Sequence, residues 1–360
     1  MNKIFAICTS PDKGGLELYF VKLIHYYNSK CKSIFPVCKK NSEIEKLIGP
    51  EAFLVNKINI FNIFSYATKL AKIIDRDNIK TIHVSWTKDI LLAVLIKKLC
   101  RVKVSIIYYR QMKITRMKDD FYHKFLYKNL DLILVITDKL MTEAKKYFPV
   151  PTTRIQKLTY GIQKLDLDLD TKEKFFETNN LNPDLLTIGI FSRIENQKGQ
   201  HLVIEAMKKI KSNVQLLIVG HVMDISYKGV LEKLIMESDL SKFVKFIAHS
   251  EKPMRIMPFC DLIILPTYEE TFGLVVAEAM IMGVPVIGSD AGGVPEIIED
   301  GKNGLMFETK NSNSLAEKIL IFINNKELRR NLAQNAKVYA EETYDYQNHF
   351  NLLDNYINNI

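Results

Sequence analysis

Four charged residues carry the most pointed chemistry in this sequence: Arg193, Lys198, Glu270 and Glu278. Arg193 and Lys198 stand in Ser192-Arg-Ile-Glu-Asn-Gln-Lys-Gly199, directly after the apolar run Leu186–Phe191. Two fixed cations at the carboxyl end of a strand suit a diphosphate and can stabilise a leaving phosphate as its charge develops. Glu270 closes Pro266-Thr-Tyr-Glu-Glu270 and is followed by Thr271-Phe-Gly-Leu274. A helix is predicted over Val275–Met282, which puts Glu270 at its mouth and Glu278 about two turns along. Carboxylates so placed accept bidentate hydrogen bonds from vicinal hydroxyls of a sugar or a ribose. The free N–H groups of Thr271 to Leu274 point at an anion. The competing readings are helix-dipole compensation for Glu270 and an exposed helix charge for Glu278.

A weaker anion signal lies in Thr9-Ser-Pro-Asp-Lys-Gly14-Gly15, where a glycine pair joins a first strand to a helix. Backbone N–H groups at such a turn can approach a phosphate, although any tight turn uses glycine. Asp166-Leu-Asp168 has the form of a metal-binding D-x-D, but it continues into Asp170 in a polar linker and reads as solvated.

Short apolar runs alternate with amphipathic stretches, and these elements must hold the charged residues in place. One series of strands is predicted at Lys3–Cys8, Ser33–Val37, Thr81–Val84, Lys103–Tyr108 and Leu132–Ile136. A second is predicted at Leu186–Phe191, Gln215–Val219, Val244–Ile247, Leu262–Leu265 and Val284–Ile287. Helical patterns fall between them, as at Glu17–Tyr27, Ile63–Ile74 and Leu202–Ile210, and fill Asn311–Ile360. Alternation of this kind means an α/β protein with parallel sheets covered on both faces. Two series predict two doubly wound domains joined within Gly161–Pro183.

At 360 residues with 47% hydrophobic and 25% charged residues, the chain has the composition of packed domains rather than of disorder. Five cysteines, odd in number and without C-x-x-C pairs, speak against a disulfide framework or a structural zinc site. The run Ile90–Ile96 is far too short to span a bilayer, and Met1–Cys8 reads as a strand rather than a signal peptide. A cytoplasmic chain is expected. The net charge of +9 is uneven: residues 1–160 hold 29 basic and 13 acidic residues, a net of +16, and the remainder is net −7. One half is therefore expected to meet something anionic. The stretch Arg110–Lys128 concentrates this charge and interleaves Phe121, Tyr122, Phe125 and Tyr127, with a helix predicted over Asp120–Leu130. That mixture suits an anionic membrane or a lipid-linked acceptor better than nucleic acid, for which no recognised module is present. Aromatics facing the core, with solvated lysines outside, would be the structural alternative.

Taken together, Arg193…Lys198-Gly199, Glu270-Thr-Phe-Gly-Leu-Val-Val-Ala-Glu278 and Gly292-Gly-Val-Pro-Glu296…Asp300-Gly301…Asn303-Gly304-Leu305 resemble the retaining glycosyltransferases of family 4, the glycosyl transferases group 1. The resemblance implies the GT-B fold, two Rossmann-like domains facing a central cleft. Residues 1–165 would bind the acceptor and residues 166–343 the nucleotide sugar, with the last helix, about 344–360, packing back on the first domain. It implies that Arg193 and Lys198 bind the donor's β-phosphate and that Glu270 holds sugar hydroxyls. The amides of Phe272, Gly273 and Leu274 would lie beside sugar and diphosphate, Glu278 would bind the ribose, and Gly14 and Gly15 would reach the diphosphate. The base would lie near Phe246–Ser250. The implied activity is transfer of a sugar from a nucleoside diphosphate sugar to an anionic or lipid-linked glycan acceptor, with retention, in cell-surface polysaccharide or lipopolysaccharide synthesis. No cofactor or essential metal is implied, and peripheral contact with the inner face of a membrane is compatible with it.

The departures are specific. The His that many relatives carry after the strand ending Tyr108-Tyr109-Arg110 is missing, so Arg110 or the earlier His83 would serve the acceptor side. Tyr160 stands where the family has Asn, and Ala248 where it has Gly before His249. The missing His leaves a non-catalytic partner subunit as an alternative, and a GT-B sugar-nucleotide isomerase is another.

Overall fold

The computed structural model describes residues 3–165, 171–210, 213–250 and 252–360. They form two compact units: Met1–Thr159 with Phe350–Ile360, and Tyr160–His349.

The first unit is built on seven parallel strands: β1 (Ile4–Cys8), β2 (Ile34–Lys39), β3 (Phe53–Val55), β4 (Thr81–Val84), β5 (Ser105–Arg110), β6 (Leu132–Val135) and β7 (Ile155–Lys157), in the order β3-β2-β1-β4-β5-β6-β7. The helices α1 (Gly15–Ser29), α2 (Glu43–Ile48), α3 (Ile63–Arg76), α4 (Ile90–Leu99), α5 (Phe121–Lys128) and α6 (Asp138–Tyr147) make the crossovers. Every residue of β1, β4 and β6 is buried. Covered on both faces, such strands read as almost unbroken apolar runs, which is why the sequence predicts them well.

The second unit repeats the plan with six parallel strands: β8 (Leu186–Phe191), β9 (Val214–Val219), β10 (Val244–Ile247), β11 (Leu262–Leu265), β12 (Val286–Ser289) and β13 (Leu305–Phe307), in the order β10-β9-β8-β11-β12-β13. Its helices are α7 (Thr171–Thr178), α8 (Gln200–Ile210), α9 (Ile225–Glu237), α10 (Leu274–Ile281), α11 (Ser312–Asn324) and α12 (Lys326–Thr343). Ile188, Ile190, Leu216, Ile218, Leu262 and Ile264 form the centre of its core. Asp166–Asp168 lies outside the described residues.

In both sheets the chain starts in the middle, winds to one edge, then returns and winds to the other. The reversal falls between β1 and β4 in the first unit and between β8 and β11 in the second. At such a switch point the loops leave in opposite directions and open a crevice outside the carboxyl ends of the strands, where open α/β sheets bind ligands.

A last helix, α13 (Tyr346–Asn358), ends in the first unit. Phe350 is buried and its ring stacks on Tyr26 with centroids 3.9 Å apart. Tyr27 donates to Asp354 Oδ1 at 2.5 Å, and Lys32 pairs with the same carboxylate. Tyr356 donates to the Lys157 carbonyl at 3.2 Å. The sequence sets the domain boundaries at 165/166 and about 344, whereas the units divide at Thr159/Tyr160 and His349/Phe350. The reason is local: the Tyr160 ring packs edge-on against Phe272 at 5.1 Å, and Ile162 bridges to Asp345, all within the second unit.

Phe350→Ala removes the ring that covers Tyr26. It should destabilise the first unit by about 3–5 kcal/mol. The single tryptophan, Trp86, lies in that unit, so its fluorescence during urea unfolding reads the loss.

Candidate active site

The second unit gathers three loops outside its switch point. The loop after β8 carries Arg193 and Lys198, the loop after β11 carries Glu270, and the loop after β12 carries Gly292 and Gly293. Lys198 Nζ pairs with Glu270 Oε2 at 2.9 Å, both side chains being mostly buried. Glu270 Oε1 also accepts from the Thr271 N–H at 3.1 Å, which fixes the carboxylate at the mouth of α10.

Backbone contacts too close for a side chain set this arrangement. Gly292 has φ +62°, and a Cβ there would lie 1.8 Å from the Glu270 carbonyl oxygen. The next residue, Gly293, donates its N–H to that same oxygen at 2.9 Å. Gly199 has φ +68°, and a Cβ there would lie 2.0 Å from the Pro266 carbonyl oxygen. Backbone and side-chain hydrogen bonds complete the stitching. Tyr268 N–H donates to the Gln197 carbonyl at 2.9 Å, and Ser289 Oγ donates to the Thr267 carbonyl at 2.6 Å. Buried Gln200 holds the Arg193 carbonyl at 2.8 Å and Ser192 Oγ at 3.0 Å.

Among the other residues expected at the donor site, Arg193 is turned to Glu195, 2.9 Å away, and its side chain is half exposed. It does not join the Lys198–Glu270 pair. Phe272 is a core side chain, ringed by Tyr160 and Tyr344. Only its backbone can therefore serve a ligand. Gly273 stands at the start of α10 without a side-chain cap, so no side chain of the capping residue satisfies the first-turn N–H groups. Glu278 is buried, at 8% exposure, so the alternative of an exposed helix charge does not hold. Beyond β9 and β10, His221 and His249 stack with ring centroids 4.1 Å apart, beside the stretch Phe246–Ser250 expected at the base.

A further group escapes sequence reasoning. The His201 ring lies between Tyr227 Oη at 2.7 Å and Tyr268 Oη at 2.6 Å. Burial lowers its basicity despite Glu205 nearby, so a neutral ring ties the Glu270 loop to α8. These three residues are far apart in sequence and form no motif, and no signal in the sequence joins them.

The first unit has a different chemistry at its own switch point. Asp89, 1% exposed, accepts from the Thr9 N–H at 2.8 Å and from the Thr9 hydroxyl, which ties the loop after β1 to the start of α4. Ser10 donates to Glu17, which is also buried, and a Cβ at Gly14 would meet Glu17 Oε2 at 3.2 Å. The helix N-terminus beside Gly14 and Gly15 thus already holds a carboxylate. Arg110, at the end of β5, donates to Thr87 Oγ1 at 2.6 Å and Tyr108 Oη at 3.0 Å, at the same edge of the sheet. His83 is fully buried in β4, with its ring 6.5 Å from that of Tyr19 and 6.3 Å from that of Tyr109. Among the described residues, no three His, Cys, Asp or Glu side chains gather as a metal set.

Burial outweighs the Thr9 hydrogen bonds and pushes Asp89 up to about 7 from an ordinary 3.8. A raised carboxyl pKa favours the folded state below the unfolded value and loses that advantage as pH rises through the folded one. Relative to Asp89→Asn, the wild-type first unit should therefore lose stability between about pH 4 and 7, at up to about 1.4 kcal/mol per pH unit. Urea midpoints read by Trp86 across that range test this; parallel pH profiles for the two proteins would contradict it.

Residues 171–339 match the family described as Glycosyl transferases group 1. The uncharacterized glycosyltransferase MJ1178 of Methanocaldococcus jannaschii is 31% identical over 211 residues, 56% of this chain and 59% of that protein, so the likeness spans under two-thirds of its length. N-acetyl-alpha-D-glucosaminyl L-malate synthase of Bacillus anthracis is 24% identical over 80% of this chain and 78% of that one. In fold the chain is similar to Anabaena Alr3699/HepE. The complex of that protein with UDP superimposes at TM-score 0.84 with 19% identity, over 99% of this chain and 100% of that one. Its complex with UDP-glucose gives 0.82, with 20% identity over the same shares of the two chains. Both parallel sheets and their helices therefore have the GT-B architecture, and residues 171–339, just under half of the chain, carry the glycosyl transferases group 1 match.

Proposed function

We propose that the protein transfers a sugar from a nucleoside diphosphate sugar to a glycan acceptor with retention of anomeric configuration, in the synthesis of cell-surface polysaccharide or lipopolysaccharide. The observation that carries this reading is the Lys198–Glu270 pair at the switch point of the second sheet, beside the uncapped start of α10. A donor would divide the pair's two functions. Its β-phosphate takes Lys198, with Arg193 swinging in from Glu195, and its sugar hydroxyls take Glu270. The amides of Phe272, Gly273 and Leu274 add partial positive charge at the diphosphate. Buried Glu278 accepts from the ribose hydroxyls.

In the proposed reaction the bond between the anomeric carbon and the diphosphate oxygen breaks. Negative charge grows on the leaving phosphate, where Lys198 and the amides stabilise it. The acceptor hydroxyl attacks the anomeric carbon from the same face and passes its proton to the departing phosphate oxygen. No divalent metal enters this scheme. The first unit would supply the acceptor side, with Arg110 as a fixed cation. HepE, similar in fold, is solved with UDP and UDP-glucose, which supports a nucleotide-sugar donor.

Incubation with a panel of nucleoside diphosphate sugars tests the reading. Slow release of nucleoside diphosphate is expected, accelerated by acceptor. An epimeric donor would instead mark an isomerase, and an absence of both binding and release would mark a non-catalytic subunit. Glu270→Ala and Lys198→Ala should each lower transfer by roughly two orders of magnitude, the usual effect of deleting one charge-stabilising group. Near-normal turnover in either would remove that residue from the mechanism. Glu278→Gln should weaken nucleoside diphosphate binding by about 1.5–3 kcal/mol, and titration calorimetry on the folded variant measures it.

A further inference from the structure

The basic, aromatic stretch from Arg110 to Lys128 is only partly consumed by the first unit's core. α5 turns Leu126 and Tyr127 inward, and both are buried. Its other side leaves Phe121, Tyr122 and Phe125 at 89%, 50% and 41% exposure, and Met117 just before the helix at 53%. Three exposed rings on an eight-residue helix form an apolar surface that water alone does not favour. Arg116, Lys124 and Lys128 are exposed around these rings, with Lys118 half buried. The nearby carboxylates are Asp119, Asp120 and Glu143; Glu143 accepts the Ile114 N–H at 3.4 Å, and Asp120 is engaged in capping α5, accepting the His123 N–H at 3.0 Å. Positive charge therefore predominates around the rings.

Position adds to composition. In a parallel strand–helix unit each helix begins near the edge where the preceding strand ends. The start of α5 thus lies toward the carboxyl edge of the first sheet, the edge that carries Arg110 and the Gly14–Gly15 turn. A second apolar turn opens toward that edge at the start of α3, where Ile60, Phe61 and Phe64 are 83%, 92% and 59% exposed. α4 packs against both α3 and α5.

We propose that this edge, through α5 and the segment leading into it, docks on the surface of an anionic lipid bilayer. The rings would enter the interfacial layer while the cations meet lipid phosphates. A surface that is apolar beneath and anionic above matches such a helix; an acidic protein or a nucleic acid backbone offers the charge without the apolar depth. The proposal rests on the transfer reading for its purpose, since it brings the acceptor-side edge to where a lipid-linked acceptor is held.

Co-sedimentation of the full chain with phosphatidylglycerol/phosphatidylcholine vesicles, against phosphatidylcholine alone, tests it. Binding should require the anionic lipid and weaken at high salt. Each cation near such a surface multiplies partition by roughly fivefold, so Lys124→Gln with Lys128→Gln should lower it by about ten- to thirtyfold. Phe121→Ser with Phe125→Ser should lower it as well. Ile225→Ser on α9 of the second unit, also an exposed apolar position, should leave it unchanged. Binding that ignores anionic lipid, or that survives both double substitutions, overturns the proposal. So does a shift in oligomeric state of Phe121→Ser with Phe125→Ser on size exclusion, which would make a second copy the occupant. Nucleoside diphosphate affinity is measured on the same samples. Intact nucleotide binding without vesicle binding sinks the docking alone; vesicle binding without nucleotide binding sinks the transfer reading instead.

Discussion

Bare backbone holds the candidate site together. The Gly292–Gly293 turn lies directly against the carbonyl of Glu270, and Gly199 against that of Pro266. No side chain fits at either place, so three loops can approach to hydrogen-bonding distance outside three strands of one sheet. The Lys198–Glu270 pair follows from that approach, because each partner sits on a loop whose position the glycines set. In a mostly buried pair the cost of desolvating both charges offsets much of their attraction, so its net contribution to stability is small. In the proposed function it holds opposite charges ready at one spot, where a donor carrying both phosphate and hydroxyls would replace each partner with its own group.

The two units use one topology for different electrostatics. Both reverse winding direction near the middle of the sheet, and both tie the two loops flanking the reversal to one another. In the second unit the tie is a cation and a carboxylate. In the first it is Asp89 on Thr9, with Glu17 on Ser10 beside it. Although residues 1–160 carry the chain's excess of basic residues, the crevice at β1 and β4 is lined by buried acids. The positive charge of this unit lies elsewhere, six of its 29 basic residues falling in the stretch Arg110–Lys128 around α5.

The sequence reveals most readily what is continuous along the chain. Strands buried on both faces, such as Leu262–Leu265, show as apolar runs with the expected limits. The three-residue strands Phe53–Val55, Ile155–Lys157 and Leu305–Phe307 do not show, because three residues carry no periodicity and these strands gain their identity by pairing at or beside a sheet edge. Lys198 and Glu270 are legible because each follows a strand directly, and strand ends converge in a parallel sheet. Asp89 and the His201–Tyr268 contact are not, since their partners lie on loops brought close only by tertiary packing. Glu278 falls between these cases. Its helix is apolar on all sides, Leu-Val-Val-Ala-Glu-Ala-Met-Ile, which already marks it as buried.

The segment Phe350–Ile360 completes the first unit, yet it is made after every residue of the second. On a translating ribosome the Tyr26 and Tyr27 rings emerge before the second unit, and Phe350 and Asp354, their partners, emerge after it. At roughly 5–20 residues per second, the amino-terminal sheet waits tens of seconds for its final helix while the intervening sheet is synthesised. The second unit, contiguous in the chain, can close as it leaves the exit tunnel. Completion during biosynthesis therefore runs against the order of synthesis, and the nascent first unit exposes an uncovered aromatic seam until Phe350–Ile360 has emerged.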